Sequence, residues 1–326
     1  MSIEKTSDNI TPSPAAPREV EFYEPGFDAS YLRPRYWATW LLLALLRSCV
    51  PLPLCASRAV GALLGWSFFL VNSKRRRIAR VNLRLCFPEL AAGQRRSLLR
   101  RHFVTTGRSY ADLGFLAWAP PARIERKVRV LGLEHLRTVQ QRGERVILLV
   151  PHCLGVNFGS IVAKHYPVFS MFKPPRDALL NWFLNKGRMR FGARLLTRKQ
   201  GLRPVLRALR QEMAFYYIPD EDFGPKRSVF APFFGIPTAT LPTLGRLAAS
   251  ADAVVIPLFV RMLPRGEGYE MLLSAPLQDF PSDDPVLDAT RMNRVLEASI
   301  REVPEQYMWT LKLFKTRPGN VPSPYR

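Results

Sequence analysis

At 326 residues, 47% of them hydrophobic, the chain can bury the core of one large α/β domain with a smaller appendage, which excludes a wholly disordered protein. Lys and Arg number 48 against 26 Asp and Glu, for a net charge of +22, so a negatively charged partner is expected: nucleic acid, an anionic membrane, or an acidic protein or substrate. The four cysteines, Cys49, Cys55, Cys86 and Cys153, have neither metal-ligand spacing nor the density of a disulfide scaffold, which fits a reducing, cytosol-facing location.

Residues 1–30 run against the charge trend, with a net −4 that leaves +26 on the remainder. They are polar and proline-bearing, and are read as a disordered tail. No basic segment followed by an apolar run marks a cleavable signal peptide. Residues 31–120 are assigned to a membrane-associated helical region. Within it, YWATWLLLALLRSCVPLPLCASRAVGALLGWSFFLV (36–71) holds two apolar stretches separated by Arg47, Pro51 and Pro53, with Trp37, Trp40 and Trp66 near their edges. A span needs roughly 20 apolar residues, and the prolines interrupt this one, so the composition fits either an interfacial hairpin or a single tilted span. Lys74-Arg75-Arg76-Arg77 follows at once, and Arg80 and Arg84 continue at helical spacing. Beside an apolar anchor, such residues suit anionic headgroups on the cytoplasmic side better than a merely solvated helix face. Nucleic acid is set aside: the chain has no zinc-ligand set, no aromatic ribonucleoprotein motif and no recognition helix free of apolar neighbours.

An arginine-rich helical pattern over 89–118 should stop at Pro120-Pro121. From 121 to 326 the pattern alternates. Strands are expected at 128–131, 146–150, 168–172, 214–218, 253–259 and 270–275, and helices near 134–142, 154–165, 178–191, 202–212 and 241–250. This predicts an α/β fold, a largely parallel sheet covered by helices, with ligands at the carboxyl ends of the strands. No glycine-rich phosphate loop supports a nucleotide cofactor, and no ligand set supports a metal.

Three stretches can carry chemistry. The first is Val146-Ile-Leu-Leu-Val-Pro-His152-Cys-Leu-Gly-Val-Asn157-Phe-Gly159, which ends an apolar strand on a histidine. An arbitrary histidine is more often structural, as His102, His135 and His165 look. The placement of His152, with Gly155 and Gly159 allowing close backbone approach by a ligand, favours proton chemistry. Cys153 points away from His152 on extended backbone and is given little weight as a nucleophile. The second stretch runs from Lys173 to Arg188 and Arg190, where arginines beside Gly187 at a helix end can fork onto a phosphate or a polarised carbonyl. The third is Pro219-Asp220-Glu221-Asp222-Phe-Gly, an acidic turn in a basic chain on the same sheet edge as His152.

Together these residues resemble the late acyltransferases of lipid A biosynthesis, the lauroyl/myristoyl transferase family of Gram-negative bacteria. The resemblance covers nearly everything after the tail: RRRIARVNLRLCFPEL, the His-x-x-x-x-Asp/Glu box at His152, LLNWFLNKGRMR, YYIPDEDFGPKRSVFAPFFGIPTAT and PEQYMWTLKLFKTRP. The box alone is shared by many glycerolipid acyltransferases; the set is specific. The resemblance implies transfer of a fatty acyl chain from acyl carrier protein to a hydroxyl of a lipid A precursor, without metal or other cofactor, at the cytoplasmic face of the inner membrane. It makes His152 the general base and puts Arg188 and Asp220 in the active site, with Lys173, Arg190 and Asp222 expected on the substrate. An acidic carrier, a phosphorylated lipid and an anionic membrane surface all suit a body of +26.

The chain departs from the box at Asn157, where the family has Asp or Glu. An amide oxygen can accept from the imidazole N–H but cannot neutralise an imidazolium. Three readings follow: a slower enzyme, an enzyme in which Asp220 or Asp222 supplies the charge, or a catalytically silent binder of lipid or carrier. The intact surrounding motifs favour retained activity. An acyltransferase for another lipid, such as an ornithine lipid or a lysophospholipid, is the alternative enzyme. The acyl chain is expected in an apolar groove lined partly from 230–247.

Overall fold

A computed structural model describes residues 19–319 and 321–325. In chain order the strands are β1 (Val128–Leu131), β2 (Arg145–Leu149), β3 (Val168–Phe172), β4 (Arg194–Thr197), β5 (Ala214–Tyr217), β6 (Val229–Phe233), β7 (Ile236–Thr240), β8 (Ala253–Leu263) and β9 (Gly268–Leu273). Seven of them make one sheet in the order β1-β9-β8-β2-β5-β3-β4, parallel at every pairing except β8 with β9, and β6 with β7 forms a separate antiparallel hairpin. The expected class, a largely parallel sheet under helices, is the one observed.

The central strand shows why a near-continuous apolar run is needed. Side chains of β2 alternate between the two faces: Ile147 and Leu149 enter one core cluster, and Val146 and Leu148 enter the other. Burial on both sides makes each residue of such a strand apolar, and all four are fully buried.

The helices are α1 (Trp37–Cys49), α2 (Leu54–Val71), α3 (Ser73–Cys86), α4 (Ala92–Trp118), α5 (Pro121–Glu125), α6 (Leu133–Gln141), α7 (Ala178–Met189), α8 (Arg203–Arg210), α9 (Thr243–Ala251) and α10 (Pro285–Glu302). Helix α4, at 27 residues roughly 40 Å long, contributes Leu98, Leu99 and Phe103 to the first cluster and Phe115 and Leu116 to the second. It ends at Ala119 before the proline pair, as expected.

Helix α2 lies directly on α4. A Cβ built at Gly107 would stand 2.1 Å from Gly61 O and 2.5 Å from Gly65 Cα, so only hydrogen fits at that crossing. One turn from Gly61, Arg58 is buried against Asp112 of α4 (2.8 Å) and also donates to Leu263 O and Gly268 O, while Tyr269 Oη donates to Asp112 Oδ2. The apolar N-terminal helices are thereby fastened to the β8–β9 end of the sheet. Helix α2 is also the one described helix long and apolar enough to cross a membrane by length and composition. Its outer face, with that of α1, exposes Trp37, Leu41, Leu63, Trp66, Leu70 and Val71.

Of the segment read as a disordered tail, residues 1–18 lie outside the described residues. Residues 19–28 are placed against the sheet. Tyr23 N donates to Leu195 O, Phe22 packs edge-on against Phe169, and Tyr23 packs against Phe172. Two half-buried aromatic residues, Phe22 and Tyr23, supply the packing that the polar average of the segment conceals.

Candidate active site

Strands β2 and β5 are parallel neighbours with Leu149 opposite Tyr217, and Val150 N extends the ladder to Tyr217 O. His152 and Asp220 each lie three residues beyond that register pair, which brings them side by side at the carboxyl ends of the two strands. Asp220 Oδ2 accepts from the His152 backbone N–H at 2.8 Å, and Oδ1 is 2.5 Å from His152 Nδ1. Both side chains are largely buried, at 15% and 5% exposure. An ionised carboxylate only accepts, so Nδ1 carries a proton, while the other edge of the ring lies at the cavity described below.

Burial on its own would lower the imidazole pKa; the charge and hydrogen bond of Asp220, with Glu221 adding, hold it above the ordinary value. For Asp220, burial pushes up, but the charge and hydrogen bonds of His152 outweigh it and the carboxyl stays below its ordinary value. Glu221 Oε1 stands 3.5 Å from His152 Nε2, and its other oxygen pairs with Arg198 Nη1 at 2.8 Å.

The loop carrying His152 is braced from the C-terminal segment. Met308 N donates to His152 O, Leu154 N donates to Gln306 O, and Cys153 bridges Tyr307. Gln306 in turn exchanges hydrogen bonds with both backbone groups of Met262 on β8. This gives a structural reason for PEQYMWT beside a distant histidine. Burial pushes the Cys153 thiol up to about 12, so it stays a neutral core side chain.

Gly155 and Gly159 serve packing rather than approach by a ligand. A Cβ at Gly159 would meet Tyr216 Oη at 2.1 Å, and that hydroxyl donates to Val156 O. The segment 154–165, expected as a helix, is a set of turns followed by a 3-10 helix at Phe158–Lys164.

Asn157 does not reach the imidazole. Its Oδ1 accepts from Arg188 Nε at 2.7 Å, while the carboxylate on His152 Nδ1 comes from Asp220. Arg188 also donates to Asn185 Oδ1; Asn185 Nδ2 donates to Asn181, and Asn181 to Tyr23 Oη, a chain of amides along α7 that contains no carboxylate. Burial lowers the Arg188 pKa to about 10, which leaves it charged near neutral pH.

His152, Asn157, Lys173 and Arg188 all line one cavity of about 260 Å³, whose remaining wall is mostly apolar and includes Val168, Phe169, Phe172 and Leu195. Arg190 is turned away: its Nη1 donates to Leu116 O and ties α7 to α4. Asp222 is committed elsewhere. It accepts from Gly224 N, Thr316 N and Thr316 Oγ1, pinning the C-terminal segment to the acidic turn. Of 230–247, residues Leu241, Pro242, Thr243 and Arg246 reach an adjoining cavity.

Sequence reasoning passed over Arg198, which lines the His152 cavity through β4 and the turn after it. Strand β4 is a four-residue edge strand with no alternation to reveal it. Among the described residues no group of three or more His, Cys, Asp or Glu side chains is placed to hold a metal.

A histidine clamped by a buried carboxylate, at the wall of a mostly apolar cavity that also holds a buried cation, is an arrangement able to move a proton. Residues 24–316 match the family described as bacterial lipid A biosynthesis acyltransferase. The lipid A biosynthesis lauroyltransferase of Escherichia coli K12 is 35% identical over 303 residues, which cover 92% of this chain and 99% of that protein. A lipid A biosynthesis acyltransferase of Haemophilus influenzae is 36% identical over 299 residues, 90% and 93% of the two chains. The E. coli lipid A biosynthesis myristoyltransferase is 34% identical over 307 residues, 93% and 95%. Among solved structures, the 1-acyl-sn-glycerophosphate acyltransferase PlsC of Thermotoga maritima aligns with a TM-score of 0.33 at 17% identity, covering 71% of this chain and 98% of that one. The chain belongs to the bacterial lipid A biosynthesis acyltransferase family.

Proposed function

We propose that this protein transfers a fatty acyl chain from an acyl carrier protein thioester to a hydroxyl of a lipid A precursor, at the cytoplasmic face of the inner membrane. The observation that carries the reading is the His152–Asp220 pair at the wall of a cavity of mixed apolar and cationic lining, with Glu221 3.5 Å from Nε2. Nε2 removes the acceptor hydroxyl's proton as the oxygen attacks the thioester carbonyl. Asp220 keeps the proton on Nδ1 and stabilises the imidazolium that forms. The cation of Arg188, which no carboxylate among the described residues neutralises, offsets the oxyanion of the tetrahedral intermediate. Collapse of the intermediate breaks the carbon–sulfur bond, and the imidazolium returns its proton to the carrier's thiolate. The chemistry asks for no metal and no nucleotide.

The exposed apolar face of α1 and α2, followed by Lys74 and Arg75 at the start of α3, supports docking on an anionic bilayer. The test is transfer from acyl carrier thioester to lipid A precursor by the purified protein, compared with His152→Ala. Activity that survives His152→Ala at the wild-type level overturns the role of His152. A wild-type protein that binds lipid or carrier but transfers nothing is instead the silent relative.

A further inference from the structure

Beside the His152 cavity lies a larger one of about 530 Å³, and the two share Met171, Arg198, Tyr216 and Ile218 in their walls. Lys226, Arg227 and Arg246 line the larger cavity, all exposed, and among the described residues none of the three has a carboxylate partner. Arg198, the fourth cation, stands in the shared wall, paired with Glu221 and stacked on Phe223.

Two further features of the same wall are unspent donors. The buried Tyr217 Oη and Ser228 Oγ have no hydrogen-bond partner within bonding geometry among the described residues, Tyr217 lying beside Thr243. The start of α9, at Pro242 and Thr243, completes the wall, and no side chain caps that helix. Buried hydroxyls in folded proteins are ordinarily paired, and an uncapped helix start adds positive potential to unpaired N–H groups. Three unpaired cations, two free hydroxyls and a helix N-terminus around one concavity ask for a ligand rich in anionic oxygen.

We propose that this cavity is a phosphate-binding subsite. Lys226, Arg227 and Arg246 neutralise the phosphate, Tyr217, Ser228 and the α9 N-terminus donate to its oxygens, and Arg198 joins it to the reacting centre. The assignment rests on the acyl-transfer reading only for the phosphate's source, which is either a phosphate monoester on the acceptor lipid or the phosphodiester of the carrier's pantetheine arm. Three unpaired cations match the doubly charged monoester better, which favours the acceptor.

The experiment uses the full chain in detergent micelles, with Lys226→Ala/Arg227→Ala and, separately, Arg246→Ala; neither variant touches His152 or Asp220. Binding of the lipid A precursor before and after phosphatase treatment is measured by calorimetry, which needs no turnover and reads the subsite even if the chain transfers nothing. The wild type should bind the phosphorylated lipid at least tenfold more tightly, and the double variant should erase that difference. In turnover, the double variant should raise the acceptor KM about tenfold while kcat falls less than threefold. A rise in donor KM instead, with no phosphate dependence of lipid binding, assigns the subsite to the pantetheine arm. If neither KM rises and wild-type binding ignores the phosphate, the subsite does not exist. Tyr217→Phe, which keeps the ring and its packing, guards against a folding effect and should weaken phosphate-dependent binding severalfold.

Discussion

At the scale of single residues, the base and its carboxylate are separable by pH. As the base proposed above, His152 acts only when neutral, and its pKa is held above the ordinary 6.5, so activity should fall as pH drops through that raised value. Asp220→Asn removes the charge that opposes burial. The imidazole pKa then falls, and the acid limb of the kcat/KM profile should move to lower pH while plateau turnover drops by about 10² to 10⁴, the upper figure being that of aspartate-to-asparagine exchange in serine-protease triads. An acid limb that stays in place would remove Asp220 from the imidazole. Asn157 makes the complementary case. Because its amide holds Arg188 and not His152, the isosteric Asn157→Asp should keep transfer within about tenfold of wild type, whereas Asn157→Leu strands a buried guanidinium N–H, worth about 1 to 3 kcal/mol. A gain of tenfold or more from Asn157→Asp would place position 157 on the imidazole after all. His152 was legible because an apolar run, a proline and a histidine coincide at a strand end. The partnership with Asp220 was legible only as one of three readings, with Asp222 as its rival, since the choice depends on β2 and β5 being neighbours in register, a fact of strand order that no local pattern records. Arg190 and Asp222 misled for the same reason. Their residue types suit a site, yet one faces α4 and the other a C-terminal threonine.

At the scale of elements, regular apolar patterns declared themselves, whereas proline-bearing segments and the strand β4 at the sheet edge did not. The strands at 128–131 and 168–172 have the bounds expected, and β8 extends four residues past its expected end through Arg261, whose guanidinium is taken up by Glu270 on β9. The β6–β7 hairpin was hidden by Pro232 and Pro237, which sit opposite each other and read as breakers. Helix α10 was missed although Asp284 caps it and Pro285 opens it, signals that earlier Asp and Pro residues in the same loop obscured. The contact between α2 and α4 gives a prediction. Replacing Gly107 by Ala puts a methyl group within 2.1 Å of Gly61 O, so the helices must separate. Overpacking of this kind costs about 1 to 3 kcal/mol, and Arg58→Leu, which leaves Asp112 buried without its partner, about 3 to 5. Thermal melts of the detergent-solubilised variants should rank wild type, Gly107→Ala, Arg58→Leu in falling order of Tm. Equal melts would mean that α2 leaves α4 when the protein is taken out of the bilayer.

At the scale of the whole molecule, the arrangement of charge and apolar surface bears on a choice that composition left open, a tilted span or an interfacial hairpin. A spanning α2 would have to carry Arg58 away from Asp112, Leu263 O and Gly268 O, exposing a buried ion pair and breaking a helix contact in which no side chain larger than hydrogen fits. An in-plane helix keeps all of these and still offers its outer face, Leu63, Trp66 and Leu70, to acyl chains, with Lys74 and Arg75 beside it for anionic headgroups. The two arrangements put the ends of α2 on different sides of the bilayer or on the same one. Cys55, at its start, is exposed, whereas Cys49, Cys86 and Cys153 are buried, so the native chain already carries one reporter. A Lys74→Cys substitution in a Cys55→Ser background supplies the other. In sealed inside-out vesicles a membrane-impermeant maleimide should label both positions without detergent. Labelling of one position only after permeabilisation would establish a span and require the Arg58 contacts to break in the membrane.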